Sequence, residues 1–195
     1  MDPVVVGISG ASGSILAKRT VEMLINKDIP VIMTCTAAAR MVWQEEMDET
    51  FNAALARWGE FPDFKYYPIG DLKAPIASGT MPTSGMIITP CSVGTLAAIA
   101  NGLSSNLLQR SADVCIKEKR KLVLVPRETP LSSIHLENML RVSNLGVAIL
   151  PPVPAFYLKP RSVEDIVEYI VAKTIDSLGL LGFMNDELRY QRSTE

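Results

Sequence analysis

The amino-acid sequence predicts an α/β protein, a three-layer arrangement in which a mostly parallel sheet carries helices on both faces. Two observations lead there. Short apolar runs rich in β-branched residues recur along the chain, each ending in Pro or a polar residue. Between them lie segments with the apolar period of helices. Strand and helix in alternation give right-handed parallel units and a sheet buried on both sides.

The elements follow in order. VVVGI, from Val4, reads as a buried strand, followed by a glycine turn and a helix from about Ser14 to Asn26. IPVIMTC is the second strand and AAARMVWQEEM the second helix. SGMIITP, KLVLVP and GVAILP are further strands, with helical patterns at Val93–Ala100, Asn106–Lys119 and Ser132–Asn144. A last amphipathic helix spans about Val163 to Leu178. The segment Asn52–Pro82 is rich in aromatics and Pro, and is expected to be an irregular packed loop or a lid. From about Met184 the chain becomes a polar tail that extends to a neighbour or frays. There is no repeat, low-complexity segment or domain-sized linker, so residues 1–195 read as a single domain.

Composition narrows the function classes. The chain is 48% hydrophobic and 21% charged, as in ordinary globular proteins. A formal net charge of -2 gives no electrostatic reason to expect nucleic acid or an anionic membrane as partner. VAILPPVPAFYL comes nearest to a membrane-spanning run, and prolines interrupt it. Asp2 and Pro3, with no basic region, do not read as a secretion signal. Cys35, Cys91 and Cys115 are odd in number, far apart and in apolar contexts, which points to reduced core thiols of a cytoplasmic protein. His135 is the one histidine, so neither a zinc site nor a Ser-His-Asp triad has the material it needs.

The stretch after the first strand carries the first functional signal. In GISGASGSILA, glycines stand at 7, 10 and 13 with serines at 9, 12 and 14. In an open parallel sheet, ligands sit beyond the carboxyl ends of the strands. Glycine lets backbone approach a ligand there, and free N–H groups at a helix start favour an anion. The spacing is neither the dinucleotide fingerprint nor a Walker loop, so the phosphate of a mononucleotide fits better than NAD or ATP. A tight turn packed against its helix is the plainer alternative. TPCSVGTLAAIANG repeats the arrangement with Ser92, Gly94 and Thr95, and Thr34 and Thr36 close another strand. Helix capping is the commoner use of such hydroxyls. In LVPRETP, Arg127 and Glu128 directly follow a buried strand. Such a pair is costly without partners. Arg127 has the fork to clamp a phosphate, and Glu128 can orient it or move a proton; a structural ion pair is the rival reading.

The runs GISGASG, CSVGTLAAIANGLSSNLLQRSADV and KLVLVPRETPLSSIHLENMLRVSNLGVAILPPVPAFY together resemble the UbiX-type flavin prenyltransferases, over about Val4 to Gly179. The resemblance implies a Rossmann-like, flavodoxin-like flavoprotein that assembles as a homododecamer built of trimers. It implies transfer of a dimethylallyl group from dimethylallyl monophosphate, or sometimes the diphosphate, to N5 and C6 of reduced FMN. The product, prenylated FMN, serves a UbiD-type decarboxylase, and no metal takes part. Carried over by position, FMN contacts fall on Gly10, Ala11, Ser12, Thr36, Ser92, Val93, Gly94, Thr95 and Arg127. Prenyl-phosphate contacts fall on Lys117, Arg127, Glu128, Tyr157 and Lys173, with Arg110 a basic residue contributed by a neighbouring subunit. Ser12, Glu46 and Glu128 take the catalytic positions.

The chain departs from this pattern at Lys173, where an arginine is common; the charge stays but the bidentate fork is lost. The family also carries an aromatic residue near its C-terminus beside the prenyl group, for which Tyr190 and Phe183 are the candidates. The residue types suit the chemistry. Departure of phosphate leaves allylic-cation character, and Lys117, Arg127, Tyr157 and Lys173 can neutralise the leaving group. Glu128, Glu46 or the released phosphate can take the proton lost in the second bond-forming step, with Ser12 as relay. Trp43 and His135 are expected to be structural. Two rivals share the architecture: a cysteine-type FMN decarboxylase, which uses a histidine early in the chain, and a non-catalytic FMN carrier, which has no need of the phosphate-binding set. Direct decarboxylation of aromatic acids ranks below both.

Overall fold

The computed structural model describes residues 1–180, 182–185 and 188–189. Its sheet has six parallel strands: β1 (Val4–Ile8), β2 (Val31–Cys35), β3 (Phe64–Tyr66), β4 (Gly85–Cys91), β5 (Leu122–Pro126) and β6 (Ala148–Ile149). The spatial order is β3-β2-β1-β4-β5-β6. That is the doubly wound Rossmann order, and without the short β3 the remaining strands fall into the flavodoxin order. The order reverses between β1 and β4, so the crevice beyond their carboxyl ends is where such a sheet receives a ligand.

The helices are α1 (Ser14–Ile25), α2 (Ala37–Glu46), α3 (Phe51–Trp58), α4 (Val93–Ala100), α5 (Leu107–Lys117), α6 (Ser133–Ser143) and α7 (Val163–Ser177). Alternation along the strands divides the core in two. Val4, Val6 and Ile8 face one cluster with α1, α2, α3 and α7. Val5, Ile32, Met86 and Ile88 face the other with α4, α5 and α6. Both faces are thus covered, and the central strands are buried along their whole length.

The segment expected to be irregular holds a helix, a short strand and a 3-10 turn at Pro75–Ala77. Phe51, Ala54 and Trp58 recur at helical spacing and bury one face of α3, whose Thr50 hydroxyl accepts from Ala53 N at 3.1 Å. Trp43 on α2 is buried and meets Phe51 and Trp58 edge-on at centroid distances of 5.3 and 5.9 Å, so it serves packing. β3 follows as a three-residue edge strand, too short to leave a period-2 signature. The last strand is also shorter than GVAILP suggests, since only Ala148 and Ile149 pair with β5.

Residues 182 and 183 pack back against the chain near the end of α1. Phe183 is buried, Lys27 lies over its ring at 4.9 Å, and Lys27 Nζ donates to the Gly182 carbonyl at 2.7 Å. Lys27 follows the end of α1, at the amino ends of the strands. Within its own chain Phe183 therefore packs at the edge opposite Arg127. Tyr190 lies outside the described residues.

Candidate active site

The site is built where β1, β4 and β5 end. Ser9, the residue after β1, is buried, and its hydroxyl donates to the Pro90 carbonyl at 3.2 Å and accepts from Ser92 N at 2.8 Å. This ties the glycine loop to the start of α4 across the switch point. The sequence marks Ser9 with Ser12 and Ser14 as hydroxyls of the glycine loop but gives it no site role; its position as the first polar residue after a fully buried strand was the signal for this tie. The Ser92 hydroxyl accepts from Thr95 N at 3.2 Å and donates to Thr95 Oγ1 at 3.1 Å, capping α4. Gly94 is exposed in the first turn of α4, and a Cβ built there meets nothing within 4 Å. The N-terminus of α4 is thus an open face of backbone N–H groups.

The glycine loop itself is partly closed from within. Gly13 takes φ 117°, a left-handed conformation that favours glycine, and supplies no side-chain cap to α1. The Glu46 carboxylate, at the end of α2, fills that role. It accepts from Gly13 N at 2.9 Å, Ser14 N at 2.8 Å and the Ser12 hydroxyl. Burial pushes the Glu46 carboxyl up, but the donors of Ser12, Ser14 and Gly13 together outweigh it and hold it below the ordinary carboxylate range. Gly10 is required by packing: a Cβ there would lie 2.5 Å from the Ala38 Cβ. Thr36 caps α2, accepting from Ala39 N at 3.1 Å.

Arg127 leaves β5 and leans over the same loop, with Nε donating to the Ser12 carbonyl at 3.4 Å. Its neighbour Glu128 accepts locally from Thr129 N at 3.0 Å. Gly10, Ala11, Ser12, Glu46, Ser92, Val93, Gly94, Thr95 and Arg127 therefore share one edge, with Thr36 at the neighbouring strand end. Tyr157 and Lys173 line a cavity of about 520 Å³ with Leu150, Val153 and Phe156. Lys173 Nζ is 3.3 Å from Asp176 Oδ2 on the next turn.

One predicted residue, Lys117, is not brought to this edge by its own chain. Helix α5 precedes β5 and runs antiparallel to it, so its last residue, Lys117, lies at the amino ends of the strands, paired with Glu118. Arg110 on the same helix pairs with Asp113 at 2.7 Å and donates to the Ala77 carbonyl at 3.0 Å. His135 completes a capping box, with Ser132 N donating to its Nδ1 at 3.2 Å, so its role is structural. Burial pushes the thiols of Cys35 and Cys91 up to about 12 and that of Cys115 to about 11, which makes them inert core residues. Among the described residues no group of His, Cys, Asp and Glu is arranged to hold a metal ion, and no helix is long and apolar enough to cross a membrane.

Comparison with known proteins agrees with this architecture. Residues 1–175 match the family model described as Flavoprotein. The chain is 46% identical over 180 residues to the flavin prenyltransferase UbiX of Alkalihalophilus pseudofirmus, with 90% of each chain covered. AnUbiX, solved in complex with FMN and dimethylallyl pyrophosphate, matches with a TM-score of 0.91 at 36% identity, over 100% of this chain and 99% of that one. The dodecameric FMN-dependent UbiX-like decarboxylase of Escherichia coli O157:H7 matches with a TM-score of 0.89 at 40% identity, over 97% and 100%. With this similarity running through nearly its whole length, the chain belongs to the flavoprotein family and, within it, to the UbiX-type flavin prenyltransferases.

Proposed function

We propose that this chain, one flavoprotein domain over residues 1–195 with a polar tail from about 184, transfers a dimethylallyl group from dimethylallyl phosphate to N5 and C6 of reduced FMN. The observation that carries the reading is the open α4 N-terminus at Gly94, set beside Arg127 at the switch point of a chain with 46% identity to a flavin prenyltransferase. The donor set fits an FMN phosphate: the backbone N–H groups of Val93 and Gly94 and a guanidinium, with Ser92 and Thr95 holding the helix start in place by their mutual cap. The α1 N-terminus, filled by Glu46, is the poorer seat for that phosphate, so Gly10, Ala11 and Ser12 approach the flavin by backbone.

Reduced FMN supplies the nucleophilic N5 and C6 to which the five-carbon group is joined. The protein's part is to hold the leaving phosphate and to take up a proton. Arg127, Tyr157 and Lys173 face the phosphate as the allylic C–O bond breaks, and the charge they carry is placed where negative charge develops. Glu46 accepts hydrogen bonds from Ser12, Gly13 and Ser14 and is held as an anion, which makes it a weak base; it orients Ser12. Glu128 has one carboxylate oxygen bonded to Thr129 N and is the protein's better proton acceptor. Lys117 and Arg110 reach the site from a neighbouring copy, which requires an oligomer; the dodecameric relative supports this. The buried, unpaired cysteines suit the reducing cytoplasm, and the product suits a UbiD-type decarboxylase as recipient.

The test is anaerobic incubation of the purified protein with reduced FMN and dimethylallyl monophosphate, then mass spectrometry of the extracted flavin. Flavin heavier by one isoprene unit is expected. Unmodified flavin with both the monophosphate and the diphosphate would leave an FMN carrier.

A further inference from the structure

The loop that precedes β4 is held by guanidinium groups through its own carbonyls. Arg110, on α5, donates to the Ala77 carbonyl at 3.0 Å. Arg120, three residues beyond the end of α5, uses both arms of its fork. It donates to the Met81 carbonyl at 2.6 Å and to the Gly79 carbonyl at 2.5 Å. Hydrogen bonds from a charged donor are short and strong, and the planar fork fixes direction as well as distance. Ala77, Gly79 and Met81 are thereby fastened against the end of α5.

Gly79, in the middle of this loop, lies under Lys117. A Cβ built on Gly79 would stand 2.6 Å from Lys117 Nζ and would also strike the Glu118 carboxylate. The Lys117–Glu118 pair thus rests directly on the loop backbone, in the space that a side chain at 79 would fill. Gly79 does not take a positive φ, so it is space, not backbone freedom, that calls for glycine here.

Resting on the reading that Lys117 serves the prenyl phosphate of a neighbouring copy, we propose that Gly79 and Arg120 are positioning residues for Lys117: the loop clamped by Arg120 is the shelf that sets where the Lys117 ammonium is presented. A lysine carries its charge on a flexible four-carbon stem. Its exposed ion pair with Glu118 is too weak to hold it in one place. A fixed backbone beneath the ammonium removes the inward positions and leaves the outward ones, where a second copy can meet it.

The test measures the Kd of dimethylallyl monophosphate by calorimetry on the full-length protein loaded with oxidised FMN, which holds the flavin in its unreacted form. The variants are Gly79→Ala, Arg120→Met, Lys117→Ala and the first two combined with Lys117→Ala. Gly79→Ala sets a methyl against the far ends of two flexible side chains, which shift while the backbone stays. Its melting temperature and its Kd for FMN should match the wild type. Its Kd for the prenyl phosphate should rise about 3- to 10-fold, the equivalent of one hydrogen bond. Arg120→Met keeps the apolar stem, releases the loop and should raise the same Kd by a similar factor. In the Lys117→Ala background neither substitution should have a further effect. Should Arg120→Met not fold, Gly79→Ala alone decides. An unchanged Kd in Gly79→Ala, or an effect that multiplies with that of Lys117→Ala, would overturn the inference and leave the transferase reading intact. An unchanged Kd in Lys117→Ala would remove that lysine from the donor site, and the inference with it.

Discussion

At the scale of single residues, one carboxylate is set apart by its hydrogen bonds. Glu46 is ionised below the ordinary range because hydrogen bonds from Ser12, Gly13 and Ser14 outweigh its burial. A carboxylate with a depressed pKa contributes stability that is present above its unfolded value and is lost as pH falls through the folded one. Glu46→Gln should therefore lower the melting temperature by a constant amount from about pH 8 to about pH 5. The gap between variant and wild type should close as the pH drops below about 4.3, the ordinary glutamate value. Thermal melts of the two proteins across that range check it. Arg127 has a different test. Its Nε is bonded to the Ser12 carbonyl, leaving the rest of the guanidinium for an anion. Arg127→Lys keeps the charge and removes the fork, and should weaken FMN binding about tenfold or more, read by flavin fluorescence titration.

At the scale of elements, the two glycines that the motif treats alike part company. Gly10→Ala pushes a methyl into Ala38 on α2 and should destabilise the fold by about 1–3 kcal/mol, since α2 must shift. Gly94→Ala meets open space within a helix and should leave stability unchanged or raise it by up to about 1 kcal/mol. Yet its methyl stands on the face proposed for the phosphate, so FMN affinity should fall. Denaturant melts and FMN titrations of the pair separate packing from binding. This division also marks what was legible in the sequence. The central strands and the helices around them were readable because burial on both faces writes continuous apolar runs. The elements α3 and β3 were not, because an eight-residue helix and a three-residue strand among aromatics leave little period. Ser92, Thr95 and Arg127 were readable as strand-end polar residues. That Glu46 would occupy the α1 N-terminus was not, because the contact joins residues 33 apart and depends on how α2 packs.

At the scale of the whole molecule, the separation of Lys117 from Arg127 across the length of a strand has a consequence for assembly. If each site takes Arg127 from one copy and Lys117 from another, Arg127→Ala and Lys117→Ala proteins are each inactive. Co-refolded in equal amounts they should recover activity at about a quarter of the sites, as random mixing of copies dictates. Mass spectrometry of the flavin product from the mixture measures it, and recovery would be nil were both residues needed from one chain. The shape of the sheet limits how such copies meet. Its two outer strands, β3 and β6, are three and two residues long, and Lys65 stands exposed on the first. Each offers too few unpaired backbone groups to template another strand. Copies of this chain are thereby steered away from edge-to-edge sheet extension and the open-ended aggregation it invites. Contact is left to side chains on helices and loops, where a closed, countable assembly is possible.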